Sequence, residues 1–238
     1  MPPADAVCEG GDLDCGSGLL LIIRDAFEPL SAGGVLEIRS SEISVKEDLP
    51  AWCRMVGHAL LAAVPSGGRS TSYFVRKSGD DGALAADLEE ARKFRWQVRA
   101  AAASGGTTKV FARNHVLEIG QPASFDTQDT APSAIEVLLG ALAADLVAGF
   151  RWRASRESIE LAQLEFSVSS RASDPRVFLG LAQDGDGGLA EIEGRMYAQS
   201  DAAPERLQAI WRDTLARSLL AQTLGRGTRL DLALKLIP

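Results

Sequence analysis

Hydrophobic residues in the first third of the chain follow helical and strand spacing in turn. Apolar positions three or four residues apart predict a helix over about residues 17–30, and short apolar runs predict strands over residues 35–39 and 72–77. A second helix is predicted to begin at Asp48, a good N-cap, with Pro50 in its first turn. This alternation is typical of a two-layer βαβαβ sandwich. The apolar faces of the two helices comprise Leu20, Ile23, Phe27, Trp52, Val56, Ala59, Leu60 and Ala63.

The pattern changes after a polar, turn-rich break at residues 78–82. Beyond the break, period-two alternation predicts strands, and two long segments predict helices that are opened by Ser133 and Pro204. We therefore expect an α+β chain with one domain over 1–77, a linker with a short helix over 78–91, and a second domain over 92–238. In the second domain we expect strands at 94–99, 108–112, 115–119, 159–171, 190–200 and 229–236, a turn at 100–106, and helices at 133–150 and 204–224.

Composition and charge narrow the classes of function. The chain has 238 residues, of which 46% are hydrophobic, so a substantial packed core is expected. The net charge of −7 and the lack of any Lys/Arg-rich run argue against binding to nucleic acid. No apolar run approaches about 20 residues, so we expect no membrane span. The N-terminus does not resemble a signal peptide and the number of cysteines is odd, so the expected location is the reducing cytoplasm.

Cys15 is the strongest chemical candidate in the chain. It lies in the run Asp14-Cys15-Gly16-Ser17-Gly18, immediately before an apolar helical segment. The first amides of a helix have no intrahelical partner and carry partial positive charge, which favours a thiolate and lowers the pKa of a nearby cysteine. Gly16 and Gly18 leave the backbone free to wrap around the sulfur. An exposed Cys15 is expected to be a nucleophile or a sulfur carrier, and a buried one a small core residue.

The other cysteines and His58 are weaker candidates. Cys53 lies beside the apolar face of the second helix and is predicted to be a core residue; a resolving role towards Cys15 requires a proximity that the sequence does not show. Cys8 is predicted to precede the first strand, and a Cys8–Cys15 disulfide stays open, although a cytosolic setting disfavours it. His58, predicted on the second helix, is a candidate for holding a thiolate or for docking, or for a local hydrogen bond. No residue spacing is typical of a metal site, so we expect neither a metal nor a cofactor.

Three blocks in the first half carry a family resemblance. They are Leu13-Asp14-Cys15, the segment 28–34 (Glu-Pro-Leu-Ser-Ala-Gly-Gly) and the segment 48–58 (Asp-Leu-Pro-Ala-Trp-Cys-Arg-Met-Val-Gly-His). Residues from about 12 to 77 thereby resemble the TusA/SirA sulfur-carrier family. The resemblance implies that Cys15 carries a persulfide, with a protein sulfur donor and acceptor as partners. The family pattern Cys-Pro-x-Pro has glycines here, Gly16 and Gly18, so the thiol is retained while the rigid entry into the helix is lost.

Two blocks in the second half carry another resemblance. They are the segment 131–136 (Ala-Pro-Ser-Ala-Ile-Glu), which leads into an apolar helix, and the segment 200–204 (Ser-Asp-Ala-Ala-Pro), which is followed by 218–224. Residues from about 92 to 238 thereby resemble the OsmC/Ohr family, which implies two long helices packed on an antiparallel sheet and an intertwined homodimer. Members with peroxidase activity reduce organic hydroperoxides with a cysteine on each long helix. Asp145 and Ser218 stand at these positions, and neither forms a sulfenic acid or a disulfide.

Asp145, Glu136 and Ser218 are the candidate binding residues of this second half. Glu136 matches an acidic position common in the OsmC/Ohr family, but it lies nine residues before Asp145, on roughly the opposite side of the helix. The two therefore do not form an acid/base pair. A carboxylate in an apolar helix is costly without a partner, so Asp145 is expected to form a structural ion pair at the dimer interface, which we favour over a binding role. Its candidate partners are Arg151, Arg153 and Arg217.

These observations together predict a sulfur-relay protein. Cys15 is expected to hold and pass on sulfane sulfur, while a degenerate OsmC-like domain dimerises and offers a pocket or docking surface near Asp145 and Glu136. One alternative is a thiol-dependent organic hydroperoxide reductase that uses Cys15 or Cys53, although the cysteine pair of the OsmC/Ohr peroxidases is missing. Another is a non-catalytic ligand-binding or scaffold protein in which both sites have decayed, as the two glycines after Cys15 suggest.

Overall fold

Two units make up the chain in the computed structural model, which describes residues 2–79, 83–126 and 128–237. Unit 1 comprises Met1–Phe94 and Trp152–Ile159, and unit 2 comprises Arg95–Arg151 and Glu160–Pro238. The α+β class predicted from the sequence is confirmed. Residues 80–82 of the expected break lie outside the described residues. Over the described parts of the chain, no helix is both long and apolar enough to cross a lipid bilayer.

Unit 1 contains a four-stranded mixed sheet with the strand order β1-β2-β4-β3. β1 runs parallel to β2, so the chain must cross over between them, and α1 makes this connection. β4 runs antiparallel to both β2 and β3, and β3 and β4 form a hairpin. The strands are β1 (Ala6–Gly11), β2 (Val35–Ser40), β3 (Ala59–Gly67) and β4 (Ser70–Arg76), and the helices are α1 (Leu19–Phe27), α2 (Val45–Val56) and α3 (Ala83–Lys93).

The core of unit 1 is one hydrophobic cluster, which contains residues from the apolar faces of α1 and α2 and from the sheet. Leu19, Ile23 and Phe27 recur every four residues on α1, and all three are buried. Lys77 closes the C-terminal end of this layer, because its ammonium group donates hydrogen bonds to the carbonyl oxygens of Phe27 at 3.0 Å and Leu30 at 2.8 Å. The cluster also includes Cys8, Leu36, Ile38, Val45, Leu49, Trp52, Cys53, Tyr73 and Val75.

The second helix and the strand after it differ from the sequence-based expectation. α2 begins at Val45 rather than at Asp48, because the fully buried Val45 and Leu49 extend its apolar face by one turn. It ends at Val56, where Gly57 adopts a φ of 80° and stops the helix. Residues 59–67, which we expected to begin on the helix, form β3, so unit 1 has one strand more than the βαβαβ expectation.

Unit 2 contains two three-stranded sheets. One has the order β5-β6-β7 and is antiparallel throughout, and the other has the order β10-β9-β8, in which β9 and β10 run parallel. Trp211 on α6 lies near Phe150 on α4 and Phe166 on β8, with ring centroids 6.4 and 6.3 Å apart. The elements are β5 (Arg99–Ala102), β6 (Thr108–Ala112), β7 (His115–Ile119), α4 (Ala134–Arg156, of which residues 152–156 belong to unit 1), β8 (Gln163–Ala172), α5 (Pro175–Phe178), β9 (Leu189–Gln199), α6 (Pro204–Arg217), α7 (Leu219–Leu224) and β10 (Arg229–Leu236).

Four predicted elements after the break differ in their limits from the structure. The helix expected to end at about residue 150 continues to Arg156, and the strand expected from residue 159 starts at Gln163. The strand expected at 94–99 is displaced: β5 starts at Arg99 and takes in Ala100–Ala102, which we had placed in a turn. The helix expected over 204–224 is broken at Ser218, whose φ of −71° and ψ of 120° are extended. Ser218 is therefore the N-cap of a second, short helix, and this position brings its hydroxyl to the site described below.

Candidate functional site

Cys15 lies in the turn between β1 and α1. A 3₁₀ helix, Cys15–Ser17, follows the N-cap residue Asp14, and Gly18, with a φ of 110°, leads into α1. Glycine adopts such a conformation without strain, whereas proline is fixed at a φ of about −65°. This turn therefore requires Gly18, which stands where the Cys-Pro-x-Pro pattern has its second proline. The backbone that leads into α1 thus differs from one that contains two prolines.

Asp14 occupies the helix-terminal position that we had assigned to the thiol. Its Oδ1 accepts a hydrogen bond from the Ser17 amide at 2.7 Å, and its Oδ2 accepts one from the Ser17 hydroxyl at 3.0 Å. The Asp14 carboxylate therefore satisfies the free Ser17 amide of the 3₁₀ turn, whereas α1 itself starts at Leu19 after Gly18, which forms no side-chain cap. The sulfur of Cys15 therefore lies beside a negative charge.

The pKa of the Cys15 thiol is raised to about 11, first by burial and then by the negative charges of Asp48 and Asp14. The expectation of a lowered pKa was therefore wrong, because the acidic neighbours and the apolar surroundings act against the helix terminus. At neutral pH Cys15 is consequently a protonated thiol, and a reaction that proceeds through its thiolate requires positive charge or a base from elsewhere.

Cys15 is nevertheless the most accessible of the three cysteines. It is half-buried, between the exposed Asp14 and Gly16, while Cys8 and Cys53 are 3% and 2% exposed. All three are free thiols. The core position predicted for Cys53 is confirmed, whereas Cys8 belongs to β1 rather than to a segment ahead of the first strand. Cys15 also packs from its inner side against the hydrophobic cluster of unit 1.

His58 is a buried structural residue rather than a member of the second helix. It follows the helix-stopping Gly57 and is 8% exposed. Its Nδ1 lies 3.0 Å from the hydroxyl oxygen of Ser78, and its ring contacts Phe27 and Trp52 edge-on, with centroids 4.8 and 5.5 Å apart. The contact with Ser78 matches the local hydrogen bond that was one of the alternatives predicted for His58. A role for His58 at the Cys15 thiol stays a prediction.

In unit 2, the structure brings Asp145 and Ser218 into direct contact. Ser218, which is buried, donates a hydrogen bond of 2.5 Å from its hydroxyl to Oδ2 of Asp145, and the Leu220 amide lies 3.4 Å from the same oxygen. The Ser218 hydroxyl also accepts a hydrogen bond from the Ala221 amide at 2.9 Å. Asp145 is thus held by a serine and an amide rather than by an arginine, and Arg217 pairs with Asp213 at 2.5 Å instead.

Glu136 belongs to a helix cap at the start of α4. Its Oε2 accepts hydrogen bonds from the Ser133 amide at 2.6 Å and the Ser133 hydroxyl at 2.8 Å, and its own amide donates to the Ser133 hydroxyl at 3.3 Å. These bonds hold the pKa of Glu136 below its usual range. The reciprocal contacts form a capping box, whose Ser-x-x-Glu signature was readable in the sequence. This explains the residue structurally, and a ligand-binding role for it stays a prediction.

Metal ligation gains no support from the described residues. Within residues 2–79, 83–126 and 128–237, no three His, Cys, Asp or Glu side chains form a group that could hold a metal ion. The residues that sequence reasoning missed are the carboxylates around Cys15. Asp14 carried the usual N-cap signal, but Asp48 lies 33 positions after Cys15 in the chain, and only the fold brings it to the thiol.

Comparison with known proteins gives a different answer for each half of the chain. No protein-family model matches. The N-terminal region is similar to the sulfur carrier protein TusA of Pseudomonas entomophila (strain L48), with 32% identity over 76 residues, which are 32% of this chain and 92% of that protein. TusA of Pseudomonas putida (strain GB-1) is 30% identical with the same coverage. The crystal structure of an OsmC-like protein from Mycoplasma pneumoniae covers 61% of this chain and 99% of its own, with a TM-score of 0.54 and 16% identity, which shows a shared fold.

Proposed function

The chain belongs, through its N-terminal region, to the TusA sulfur carrier family, and from this membership we propose that Cys15 carries sulfane sulfur as a persulfide. The observation that carries the proposal is the position of the thiol. Cys15 is the half-exposed cysteine of unit 1, on a turn in front of α1, while the other two lie in the core. A carrier needs such a position, because the sulfur must meet a donor and an acceptor in turn.

The transfer is an exchange at sulfur. The Cys15 thiolate attacks the terminal sulfur of a donor persulfide, so that the bond between this sulfur and the donor's sulfur breaks while a new S–S bond forms on Cys15. The donor leaves as a thiolate, and Cys15 becomes a persulfide. An acceptor thiolate takes the same sulfur in the reverse sense, and Cys15 returns to the thiolate. The cytoplasm, where free cysteines stay reduced, is the compartment that suits this chemistry.

The acidic surroundings of Cys15 make its reactivity depend on the partner. Asp14 and Asp48 are exposed, and both raise the pKa of the thiol. A donor that presents lysine or arginine side chains to these carboxylates would offset their charge and lower the pKa of Cys15. The thiol would then ionise when a donor docks and stay protonated, and so protected from oxidation, when none is present.

Loading with sulfur tests the proposal. The full chain is incubated with a sulfurtransferase that bears a persulfide, and its intact mass is measured before and after reduction. We expect the wild type to gain one sulfur atom that a thiol reductant removes, and Cys15→Ser to gain none. Cys8→Ser and Cys53→Ser are the controls, since both remove a thiol that lies in the core, and both should still take up sulfur.

The rival functions predict different results in this experiment. A scaffold with a decayed site predicts no sulfur on the wild type, and sulfur uptake by Cys15→Ser would also contradict our proposal. A hydroperoxide reductase predicts consumption of an organic hydroperoxide with a dithiol. The hydrogen-bonded Asp145 and Ser218 argue against that reaction, since neither supplies a thiol at the position where the OsmC/Ohr resemblance places the cysteine pair.

We further propose that unit 2 forms a homodimer, as the OsmC/Ohr resemblance implies. The β5-β6-β7 sheet supports this, because Val116 is 57% exposed and its neighbour Leu117 is 49% exposed. Successive residues of a strand point to opposite faces of the sheet, so β7 presents apolar side chains on both faces. A small sheet needs a packing partner on an apolar face to be stable, and a second copy of the chain would supply it.

Light scattering coupled to size-exclusion chromatography tests the dimer. We expect the wild type to elute as a dimer at micromolar concentration, and Leu117→Asp to weaken the dimer at least about tenfold, because a carboxylate would be buried without a partner. The matched control is Arg113→Asp, which places the same carboxylate in the exposed turn between β6 and β7. A monomeric wild type, or equal effects of the two variants, would contradict the proposal.

A further inference from the structure

We propose that Cys53 resolves the persulfide on Cys15, releasing sulfide and leaving a Cys15–Cys53 disulfide. This second activity rests on the proposed function, since it begins from sulfur already bound to Cys15. It would make the N-terminal unit a reductase for sulfane sulfur when no acceptor removes the cargo.

Cys15 and Cys53 both belong to the surroundings of one hydrophobic cluster, Cys53 inside it and Cys15 at its edge. The 3₁₀ turn Cys15–Ser17 packs against α2, which carries Cys53, and Cys15 itself packs against the buried cluster to which Cys53 and Tyr73 belong. Burial raises the pKa of Cys53 and of Tyr73, and the negative charge of an ionised Cys15 adds to the rise in each. The Cys8 thiol belongs to the same cluster, but its pKa is raised by burial, Glu9 and Asp25 instead.

The reaction balances without an external oxidant. The Cys53 thiolate attacks the inner sulfur of the Cys15 persulfide, so the bond between the inner and the terminal sulfur breaks while the Cys15–Cys53 bond forms. The terminal sulfur leaves as hydrosulfide and keeps the electron pair. Sulfane sulfur is thereby reduced to sulfide, and two cysteine thiols are oxidised to a disulfide. An external dithiol then reduces the disulfide by attack at the more exposed sulfur, that of Cys15.

Burial gives Cys53 the properties that such a residue requires. At 2% exposure it is shielded from protein donors, so its encounter is with sulfur already held on Cys15. Its pKa is raised to about 11, chiefly by burial, so little thiolate is present at neutral pH and the resolving step is slow. An acceptor that binds before this slow step receives the sulfur. Sulfide is released only from loaded chains that meet no acceptor in that time.

Time courses on the full chain test this inference. The protein is loaded with inorganic polysulfide, desalted and incubated without an acceptor, while intact mass and released sulfide are followed. In the wild type we expect the sulfur adduct to give way to a species two hydrogen atoms lighter than the reduced protein, with one sulfide released per chain. Cys53→Ser should keep its adduct and release sulfide at least about tenfold more slowly. Cys8→Ser, which also removes a core thiol with a pKa raised to about 11, should behave as the wild type.

The outcomes separate this inference from the proposed function. A wild type that keeps its sulfur adduct as long as Cys53→Ser does overturns the inference and leaves sulfur carriage intact. A wild type and a Cys53→Ser variant that both take up no sulfur overturn the two proposals together. If Cys53→Ser does not fold, peptide mapping of the wild type decides, because a peptide cross-linked through Cys15 and Cys53 must then accumulate, and its absence refutes the resolving step.

Discussion

Alkylation of Cys15 by iodoacetamide should accelerate about tenfold for each pH unit from neutrality upwards, and should level off only as the pH approaches 11. The reactive species is the thiolate, and burial together with Asp48 and Asp14 keeps the thiolate fraction small. Because the pKa of Cys15 is raised, the thiolate is the minor form at every pH below about 11, and its fraction grows as the pH rises. If a helix terminus stabilised the thiolate instead, the alkylation rate would level off at a pH below the ordinary pKa of cysteine.

The expected rate near neutral pH is low but measurable. A pKa of about 11 against an ordinary value of 9.0 leaves on the order of a hundredfold less thiolate. The remaining thiolate is more nucleophilic because its pKa is higher, which recovers roughly tenfold. We therefore expect Cys15 to react roughly tenfold more slowly than a free cysteine at neutral pH, and more slowly still where its burial obstructs the reagent.

Asp48→Asn should shift the midpoint of this pH profile downwards. Asp48 is the second cause of the raised pKa after burial, so its removal should lower the pKa of Cys15 without returning it to the ordinary value. Glu47→Gln is the matched control, because it removes an equal charge from the preceding position of α2 and Glu47 is not among the causes of the shift. A wild-type plateau below about pH 9, or equal shifts in the two variants, would contradict this account of the site.

The elements that the sequence predicts best are those with a strong local signal. Two of the three predicted face residues of α1, Ile23 and Phe27, are buried, while Leu19 takes the place expected of the partly buried Leu20. This helix needs no distant partner to be recognised. The strand β3 was predicted as helix because residues 59–64 are all apolar and show no alternation. Its identity depends on pairing with β4, and the stop signal at Gly57 was the local indication that the helix had ended.

Sequence reasoning named the residues of the candidate site, whose functional roles stay predictions, but it missed their electrostatics. Cys15 follows from its place before an apolar helix, whereas its raised pKa depends on Asp48, which the sequence places 33 positions away. The contact between Asp145 and Ser218 spans 73 positions, and the resemblance to the OsmC/Ohr family put both on the positions of one cysteine pair. The sequence predicted an arginine partner for Asp145, because a carboxylate in an apolar helix is costly without a partner. It could not show that the fold supplies Ser218 instead.

The contact between Asp145 and Ser218 should contribute a large share of the local stability of unit 2. Ser218→Ala removes a hydrogen bond to a carboxylate, worth about 1.5–3 kcal/mol, and the N-cap of α7, worth about 1 kcal/mol. We therefore expect a loss of about 2.5–4 kcal/mol, which corresponds to a roughly 60- to 700-fold loss of hydrogen-exchange protection for the amides of α4 and α7. Amides of β1–β4 in unit 1 provide the internal reference.

Thr223→Ala is the matched control for this measurement. Thr223 lies on the same short helix and its hydroxyl also forms a hydrogen bond, to the carbonyl oxygen of Leu219 at 2.7 Å, but the residue is exposed. Substitutions of this kind usually change stability by within about 0.5 kcal/mol. A similar loss of protection in both variants would show that the serine acts through the helix alone.

A double-mutant cycle separates the hydrogen bond from the cap. Asp145→Ala leaves the Ser218 hydroxyl able to cap α7, while Ser218→Ala leaves the carboxylate with the Leu220 amide as its remaining partner. If the two side chains act as one link between α4 and α7, the double variant should lose at least about 1 kcal/mol less than the sum of the single losses. Additive losses would mean that the two residues stabilise their helices independently, and that the contact is a consequence of the fold rather than a cause of its stability.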